Sequence, residues 1–428
     1  MEILILVLSF VILIGIGMPI AWSIGLSGLL TIFMTMPALP AVTTVAQRMA
    51  TGLDSFALLA IPFFVFAGQI MNRGGIAKRL IDFAKSIVGA LPGGLAHVNI
   101  VAAMLFGAIS GSAAAAASAI GGFMTNRMEK EGYSREFSAA VNITSSTTGL
   151  VIPPSNILIV YSLASGGASI AALFLAGYIP GIITGLMLMA VAMVWARRKG
   201  FPTSPRATLR EIWISFVRAF PSLLLLVVVI GGIVAGIFTA TEASAVAVLY
   251  CLVLAFFYKE VKTKDLPGII LSSVGTTAIV TLLIATSISM SWVMSYENIP
   301  QQITDLLLGI SDNKFVILFI INLLLLFVGI FMDMTPAVLI FTPIFLPVVT
   351  KLGLHPVHFG IIMVMNLCIG VCTPPVGSVL FIGVGVAQTT IQRVIKPLLP
   401  LFVAMLVALM LTTYIPAISM WLPRAFGY

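Results

Sequence analysis

Long uninterrupted apolar runs dominate this chain, separated by short polar stretches. They fall near 3–17, 20–36, 55–72, 95–109, 113–125, 138–165, 169–196, 220–238, 241–258, 267–294, 314–331, 335–349, 357–387 and 397–422. A helix needs roughly 20 apolar residues to cross about 30 Å of hydrocarbon, and several runs reach that length. None alternates apolar and polar residues as membrane-barrel strands do. The pattern therefore predicts an all-α polytopic membrane protein. Runs 95–109 and 113–125 are too short to span and are joined only by Ser110-Gly111-Ser112, which reads as a re-entrant hairpin. Runs 314–331 and 335–349 flank Met332-Asp333-Met334 in the same way, although 314–331 also has the length of a full span.

Composition sharpens this reading. Of 428 residues, 60% are hydrophobic and 8% charged, against about 25% charged in soluble domains. That excludes a cytosolic enzyme, a disordered chain and a secreted disulfide scaffold. The 22 Lys and Arg exceed the 14 Asp and Glu, but they gather in loops, so they report orientation rather than nucleic-acid binding. Loop 197–218 carries Arg197, Arg198, Lys199, Arg206, Arg210 and Arg218; loop 259–265 carries Lys259, Lys262 and Lys264. Two spans separate them, so both face the cytoplasm by the positive-inside rule. The chain opens Met1-Glu2 and turns apolar at Ile3, so its first helix reads as a span that stays.

Comparison of the chain with itself reveals a repeat. TGLVIPPSNILIVY (148–161) and IGVCTPPVGSVLFI (369–382) superpose with their double prolines 221 residues apart. The same shift places Gly149 on Gly370, Gly132 on Gly353, and Ser110-Gly111-Ser112 on Phe331-Met332-Asp333 without a gap. The loop after the first hairpin holds Arg127, Lys130 and Arg135, whereas the loop after the second holds only Lys351 and two histidines. That asymmetry puts the loops on opposite sides and predicts inverted repeats, the architecture of many secondary transporters.

The chemistry follows from what a membrane tolerates. Consecutive prolines remove backbone donors and break a helix. The freed carbonyls must line a cavity, where they suit a hard cation such as Na⁺. Around the first break stand Asn142, Thr144, Ser145, Ser146, Thr147, Thr148, Gly149, Pro153, Ser155 and Asn156; around the second, Asn366, Gly370, Thr373, Pro374 and Ser378. These hydroxyls can equally bond back to their own helices. At the hairpin tips, Ser110, Ser112, Asp333 and Thr335 are candidate substrate contacts, with Ser155 beside the first break. An intramembrane carboxylate costs roughly 2.5–3.5 kcal/mol on insertion scales, so Asp333 is a functional candidate; capping the next helix is compatible with that. Glu242 fits a helix start or a core role, and Asp54 resembles a helix cap. Cys368 and Cys372, one turn apart, read as small core residues, and His355 and His358 lack a third ligand for zinc. Two polar segments, 73–86 and 297–308, read as amphipathic arms lying in the interface.

IPFFVFAGQIMNRGGIAKRL (61–80), GAISGSAAA (107–115), VIPPS (151–155), FTATEASAVAVLY (238–250) and MDMTPAVLIFTPIFLPV (332–348) resemble the large membrane subunit of TRAP transporters over essentially the whole chain. Within that family the sequence is most similar to large subunits that import sialic acid. The resemblance implies an elevator-type protein of the bacterial inner membrane, with no enzymatic activity. It implies Na⁺ as the coupling ion, with at least two ions bound, and an organic acid as substrate. A small membrane subunit and a periplasmic substrate-binding protein are the implied partners; because the chain starts at its first helix, the small subunit is expected as a separate chain. Ser112 and Asp333 become cavity residues, and the segments 144–149 and 366–373 become ion sites. The expected layout is scaffold helices and first arm (1–92), first transport repeat (93–196, hairpin 95–125, broken helix 138–165) and cytoplasmic linker (197–218). A second scaffold and arm (219–310), second transport repeat (311–396, hairpin about 314–349, broken helix 357–387) and C-terminal helix (397–428) follow. The competing readings are a C4-dicarboxylate importer of the same family and a proton-coupled anion carrier.

Overall fold

A computed structural model describes residues 2–201, 205–311, 313–374 and 376–428. They are helical throughout, with no strand among the described residues. Eight of the helices are long and apolar enough to cross a membrane, nine if one bent pair counts as a single span.

The chain opens with α1 (Glu2–Gly15) and α2 (Ile20–Ile32), which pack on each other. The next helix, α3 (Ala38–Leu53), lies outside the apolar runs; it buries only Ala41 and Val45 and is amphipathic. Asp54 ends α3, and its side chain caps no helix. After a short 3-10 turn come α4 (Ala60–Arg73) and the arm α5 (Ile76–Val88), separated by Gly75 at φ +67°. The arm turns Ile76, Leu80, Ile81 and Ala84 inward.

The first hairpin consists of α6 (Gly94–Ser110) and α7 (Ala113–Lys130), turned by Gly111 at φ +60°. Helices α8 (Arg135–Val151) and α9 (Asn156–Ala164) follow, bent by 51° across the proline break. The long α10 (Ile170–Lys199) packs along that break, where a Cβ on its Gly177 would lie 2.2 Å from the Val151 carbonyl oxygen. The linker is shorter than the charged stretch 197–218. Arg197, Arg198 and Lys199 belong to the last turn of α10, where cations favour the helix dipole. A capping box, Thr208 with Glu211, starts α11 (Leu209–Val234) well before Arg218.

A second capping box, Thr239 with Glu242, starts α12 (Ala240–Phe257), which places Glu242 at an exposed helix start rather than in the core. Helix α13 (Leu266–Tyr296) and the second arm α14 (Ile299–Ile310) complete this half. The second hairpin is α15 (Lys314–Phe331) and α16 (Met334–Lys351); α17 (Pro356–Gly370) and α18 (Ser378–Val386) flank the second break. Pro375, half of that double proline, lies outside the described residues. Helix α19 (Ile391–Tyr414) is continuous, so the expected boundary at 396/397 falls inside it, and α20 (Ala417–Ala425) ends the chain.

The 221-residue offset extends to the helix ends. Helices α7 and α16 begin at 113 and 334 and end at 130 and 351; α10 and α19 begin at 170 and 391. Packing is reciprocal as well: α9 lies against α16, and α18 against α7, so each half-helix buries itself on the other half's hairpin. Within each half the hairpin crosses the broken helix at paired glycines. A Cβ on Gly149 would lie 2.3 Å from Gly107 Cα, and one on Gly370 would lie 2.5 Å from Gly329 Cα. Helices α2, α3 and α4 gather around α13, and α4 also packs on α12.

Candidate functional site

The two hairpin tips meet across a cavity of about 230 Å³. Ser110, Gly111, Ser112 and Ala113–Ala115 line it from the first tip; Asp333, Met334 and Thr335 line it from the second. Asn156 and Ser378, the first residues of α9 and α18, complete a ring of four helix starts. Helix starts carry unsatisfied N–H groups and a partial positive charge. The last turns of α6 and α8 reach the same cavity through Ser110 and Leu150, as does Val371, the C-cap of α17, and helix ends carry the opposite partial charge. No Lys or Arg lines the cavity among the described residues. An anion there would be held by backbone dipoles, and a cation by carbonyls.

The two tips differ at equivalent positions. Ser112 caps α7, its Oγ accepting from the Ala115 N–H at 3.2 Å. Asp333 stands at the same position of α16 but accepts no capping bond from that helix. Its carboxylate is exposed and accepts from the Ser378 hydroxyl at 3.4 Å. It therefore faces the cavity and pays little of the cost of a carboxylate in hydrocarbon.

The expected site residues separate into groups. Ser110, Ser112, Asp333 and Thr335 come together in the cavity. Ser155 does not: it is buried, and its hydroxyl donates to the Leu150 carbonyl at 2.5 Å, bridging the break from behind. The hydroxyls on α8 all donate to their own helix: Thr144 to Ala140, Ser145 to Asn142, Ser146 to Ile143 and Thr147 to Thr144, at 2.9–3.3 Å. Thr373 does the same toward Ile369 at 2.7 Å. Each keeps its oxygen lone pairs. Asn142 donates to the Ala117 carbonyl at 2.8 Å, tying α8 to α7. Asn366 donates to Asn322 Oδ1 at 2.7 Å, and Asn322 donates to Thr413, tying α17 to α15 and α19. The Oδ1 atoms of Asn142 and Asn366 are buried without a protein donor, an acceptor surplus of the kind a cation relieves. Gly149 and Gly370 are the crossing glycines. Pro153 lies in the break against α10, and Pro374 in the half-buried turn after α17; neither lines the cavity. Cys368 and Cys372 donate their thiols to the Thr147 and Ile143 carbonyls at 3.4 and 3.5 Å, which accounts for their spacing.

Three polar lining residues escaped the sequence reading: Gln69 and Asn72 on α4, and Thr276 on α13. The signal for the first two was present. Ile61, Val65, Gly68, Gln69 and Asn72 share one helical face, and a Cβ on Gly68 would lie 2.8 Å from the Ser110 carbonyl oxygen.

With this arrangement in view, the comparisons assign the chain. The family described as "Tripartite ATP-independent periplasmic transporter, DctM component" matches residues 7–418. The chain belongs to the DctM family of TRAP transporters. Its relatives include the uncharacterized protein YgiK of Salmonella typhimurium, 55% identical over 100% of this chain and 98% of that one. The C4-dicarboxylate TRAP transporter large permease DctM of Rhodobacter capsulatus is 39% identical, covering 96% of each chain. The sialic acid TRAP transporter large permease SiaM of Vibrio cholerae is also 39% identical, again covering 96% of each. Among solved structures, the Alcanivorax borkumensis YdaH transporter shares the fold, with a TM-score of 0.63 at 13% identity over 91% of this chain and 90% of that one. The DctM-family chain is thus a large permease subunit rather than an enzyme. Such subunits work with a small membrane subunit and a periplasmic binding protein.

Proposed function

We propose that this subunit imports a hydroxylated organic monocarboxylate, sialic acid first among them, together with at least two Na⁺ ions across the bacterial inner membrane. The observation that carries this reading is the charge pattern of the tip cavity. Four helix starts favour an anion, three helix ends favour cations, no basic side chain lines the cavity among the described residues, and Asp333 adds one negative charge. Asp333 also bears on substrate choice. It accepts hydrogen bonds from sugar hydroxyls, whereas the second carboxylate of a C4-dicarboxylate would meet its like charge. C4-dicarboxylates are the second substrate class to test.

The motion we infer is an elevator built on two inverted repeats, with α6–α10 and α15–α19 moving as one body. Reciprocal packing of the two hairpins supports a single moving unit. Helix α13 borders the tip cavity at Thr276 and Val280 and, farther along, a second cleft of about 360 Å³ at Ser287 and Ser291. Leu163, Gly166 and Leu339 form the other wall of that cleft. Two clefts at two levels of one static helix suit a body that slides along it.

The test is uptake of labelled sialic acid into proteoliposomes holding this chain and a separate small subunit, with the binding protein outside. An inward Na⁺ gradient is compared with K⁺. Uptake requiring both Na⁺ and the binding protein is the expected result. Uptake that persists without Na⁺, driven by a proton gradient, would overturn the ion coupling. Uptake of succinate but not sialic acid would overturn the substrate.

A further inference from the structure

A further polar pocket lies between the first arm and α11, away from the hairpin tips. Between the arm α5 and the first turns of α11 is a cavity of about 210 Å³ lined by Arg79, Asp82, Glu211, Ile214, Ser215 and Arg218. Arg79 is fixed in place: its guanidinium lies 3.6 Å over the Tyr258 ring and donates one bond, at 2.9 Å, to the Gly75 carbonyl. Four of its five N–H donors remain for another partner. Glu211 is committed to the Thr208 cap. Asp82 and Arg218 are exposed, and among the described residues neither forms an ion pair; the Arg135–Glu129 pair is elsewhere. Opposite charges thus share one small cavity without closing on each other.

The surface beside the pocket is apolar. Leu209, Trp213, Val217 and Phe220, spaced along one face of α11, are 87%, 65%, 51% and 45% exposed. Phe216 turns inward against Phe83, with ring centroids 5.7 Å apart, so the arm and α11 are already joined beneath this stripe. A dipolar headgroup pocket alongside an exposed apolar stripe suits a phospholipid. Arg–phosphate pairing is strong and can be bidentate, and basic pockets on the cytoplasmic side of membrane proteins take lipid headgroups.

We propose that this pocket binds a phospholipid whose headgroup carries a primary ammonium, as in phosphatidylethanolamine. The phosphate sits between Arg79 and Arg218, the ammonium meets Asp82, and the acyl chains lie along the α11 stripe. Bound there, the lipid ties the arm to α11 on the static side of the protein.

The experiment uses the complete complex, stripped of lipid in detergent and incubated with an equimolar mixture of phosphatidylethanolamine, phosphatidylglycerol and phosphatidylcholine. Native mass spectrometry reads what is retained, so the outcome does not depend on the transported substrate. The expected result is one phosphatidylethanolamine retained at least fivefold over the others. Arg218→Ala should lose that retention, and Asp82→Asn should keep phospholipid binding while losing the preference over phosphatidylglycerol. Equal retention of the three lipids would overturn the proposal, as would a preference unchanged by both substitutions. Displacement by millimolar inorganic phosphate would reassign the pocket to a free anion and equally overturn it. Because Asp82→Asn removes no packing contact, its readout stands even where Arg218→Ala fails to assemble.

Discussion

Gly149→Ala tests the helix crossing on which the site rests. The added Cβ would lie 2.3 Å from Gly107 Cα, 2.5 Å from the Gly107 carbonyl carbon and 3.0 Å from the Ala108 nitrogen. Those are backbone atoms, which cannot rotate aside as a side chain can. Ordinary contact begins near 3.4 Å, so α6 and α8 must part by about 1 Å. Overpacking of this kind costs about 1–3 kcal/mol, roughly 5- to 150-fold in the population of the native arrangement. The displacement falls beside Leu150, where the end of α8 reaches the cavity, so Na⁺ affinity should fall along with stability. Gly122→Ala is the control: nothing lies within 4 Å of its added Cβ, and alanine in an open helix position is favoured by up to about 1 kcal/mol. The assay pairs the thermal midpoint of the purified complex with the Na⁺ dependence of uptake. Gly149→Ala should lower the midpoint and raise the half-saturating Na⁺ concentration, and Gly370→Ala should do the same through Gly329. If Gly149→Ala matched Gly122→Ala in both measurements, the close crossing would not hold the site.

Asp333→Ala should abolish uptake while co-purification with the small subunit stays intact; normal uptake would remove Asp333 from the site. Ser112→Ala deletes the cap of α7 and should cost about 1 kcal/mol of stability, seen as a lower thermal midpoint, together with weaker substrate affinity; an unchanged affinity would make Ser112 a cap alone. Thr239→Ala removes the corresponding cap of α12, at a similar cost of about 1 kcal/mol, but should leave the substrate and Na⁺ constants untouched because α12 does not line the cavity. A shift in either constant would show that α12 is coupled to the site. Asn72→Ala should raise the half-saturating substrate concentration several-fold without altering Na⁺ stoichiometry, measured by parallel uptake of ²²Na⁺ and labelled substrate.

Much of the architecture was legible because the membrane enforces simple rules. Two apolar stretches too short to cross, joined by Ser110-Gly111-Ser112, had to turn back, and Gly111 sits at the positive φ such a turn requires. The double proline at 153–154 had to break a helix, and the break is there. The parts that escaped depend on tertiary contacts. Helix α3 has too few apolar residues to register as a membrane segment, and packing against α13 and α2 gives it its buried face. The charged stretch 197–218 read as one loop because lysine and arginine serve a helix end as well as they serve a linker. Ser155 shares its neighbourhood with the site residues, but which way its hydroxyl points depends on the Leu150 carbonyl behind it. Gln69 and Asn72 were visible only as polar positions in an apolar helix; that they face the first hairpin follows from Gly68 pressing on Ser110.

Among the described residues no basic side chain lines the tip cavity, and this bears directly on the coupling we propose. A guanidinium at the tips would bind an organic anion without help, and binding that needs no Na⁺ lets substrate cross uncoupled. Helix starts alone are weaker: each contributes about 0.3–1 kcal/mol at exposed sites. Asp333 pushes the other way, since its negative charge opposes an anion until something neutralises it. Two Na⁺ ions held by the helix ends would offset both Asp333 and a monocarboxylate, leaving the loaded body close to neutral. Without Na⁺, the same body carries two uncompensated negative charges through hydrocarbon, at several kcal/mol each by insertion scales. Returning empty, it carries only Asp333, so one net positive charge enters per cycle, and an interior-negative potential of 100 mV contributes about 2.3 kcal/mol to accumulation. In this reading a carboxylate at Asp333 and a hydroxyl at Ser112, at equivalent tips, divide the work: Ser112 completes its helix start, while Asp333 leaves its own uncapped and keeps its charge for the cavity.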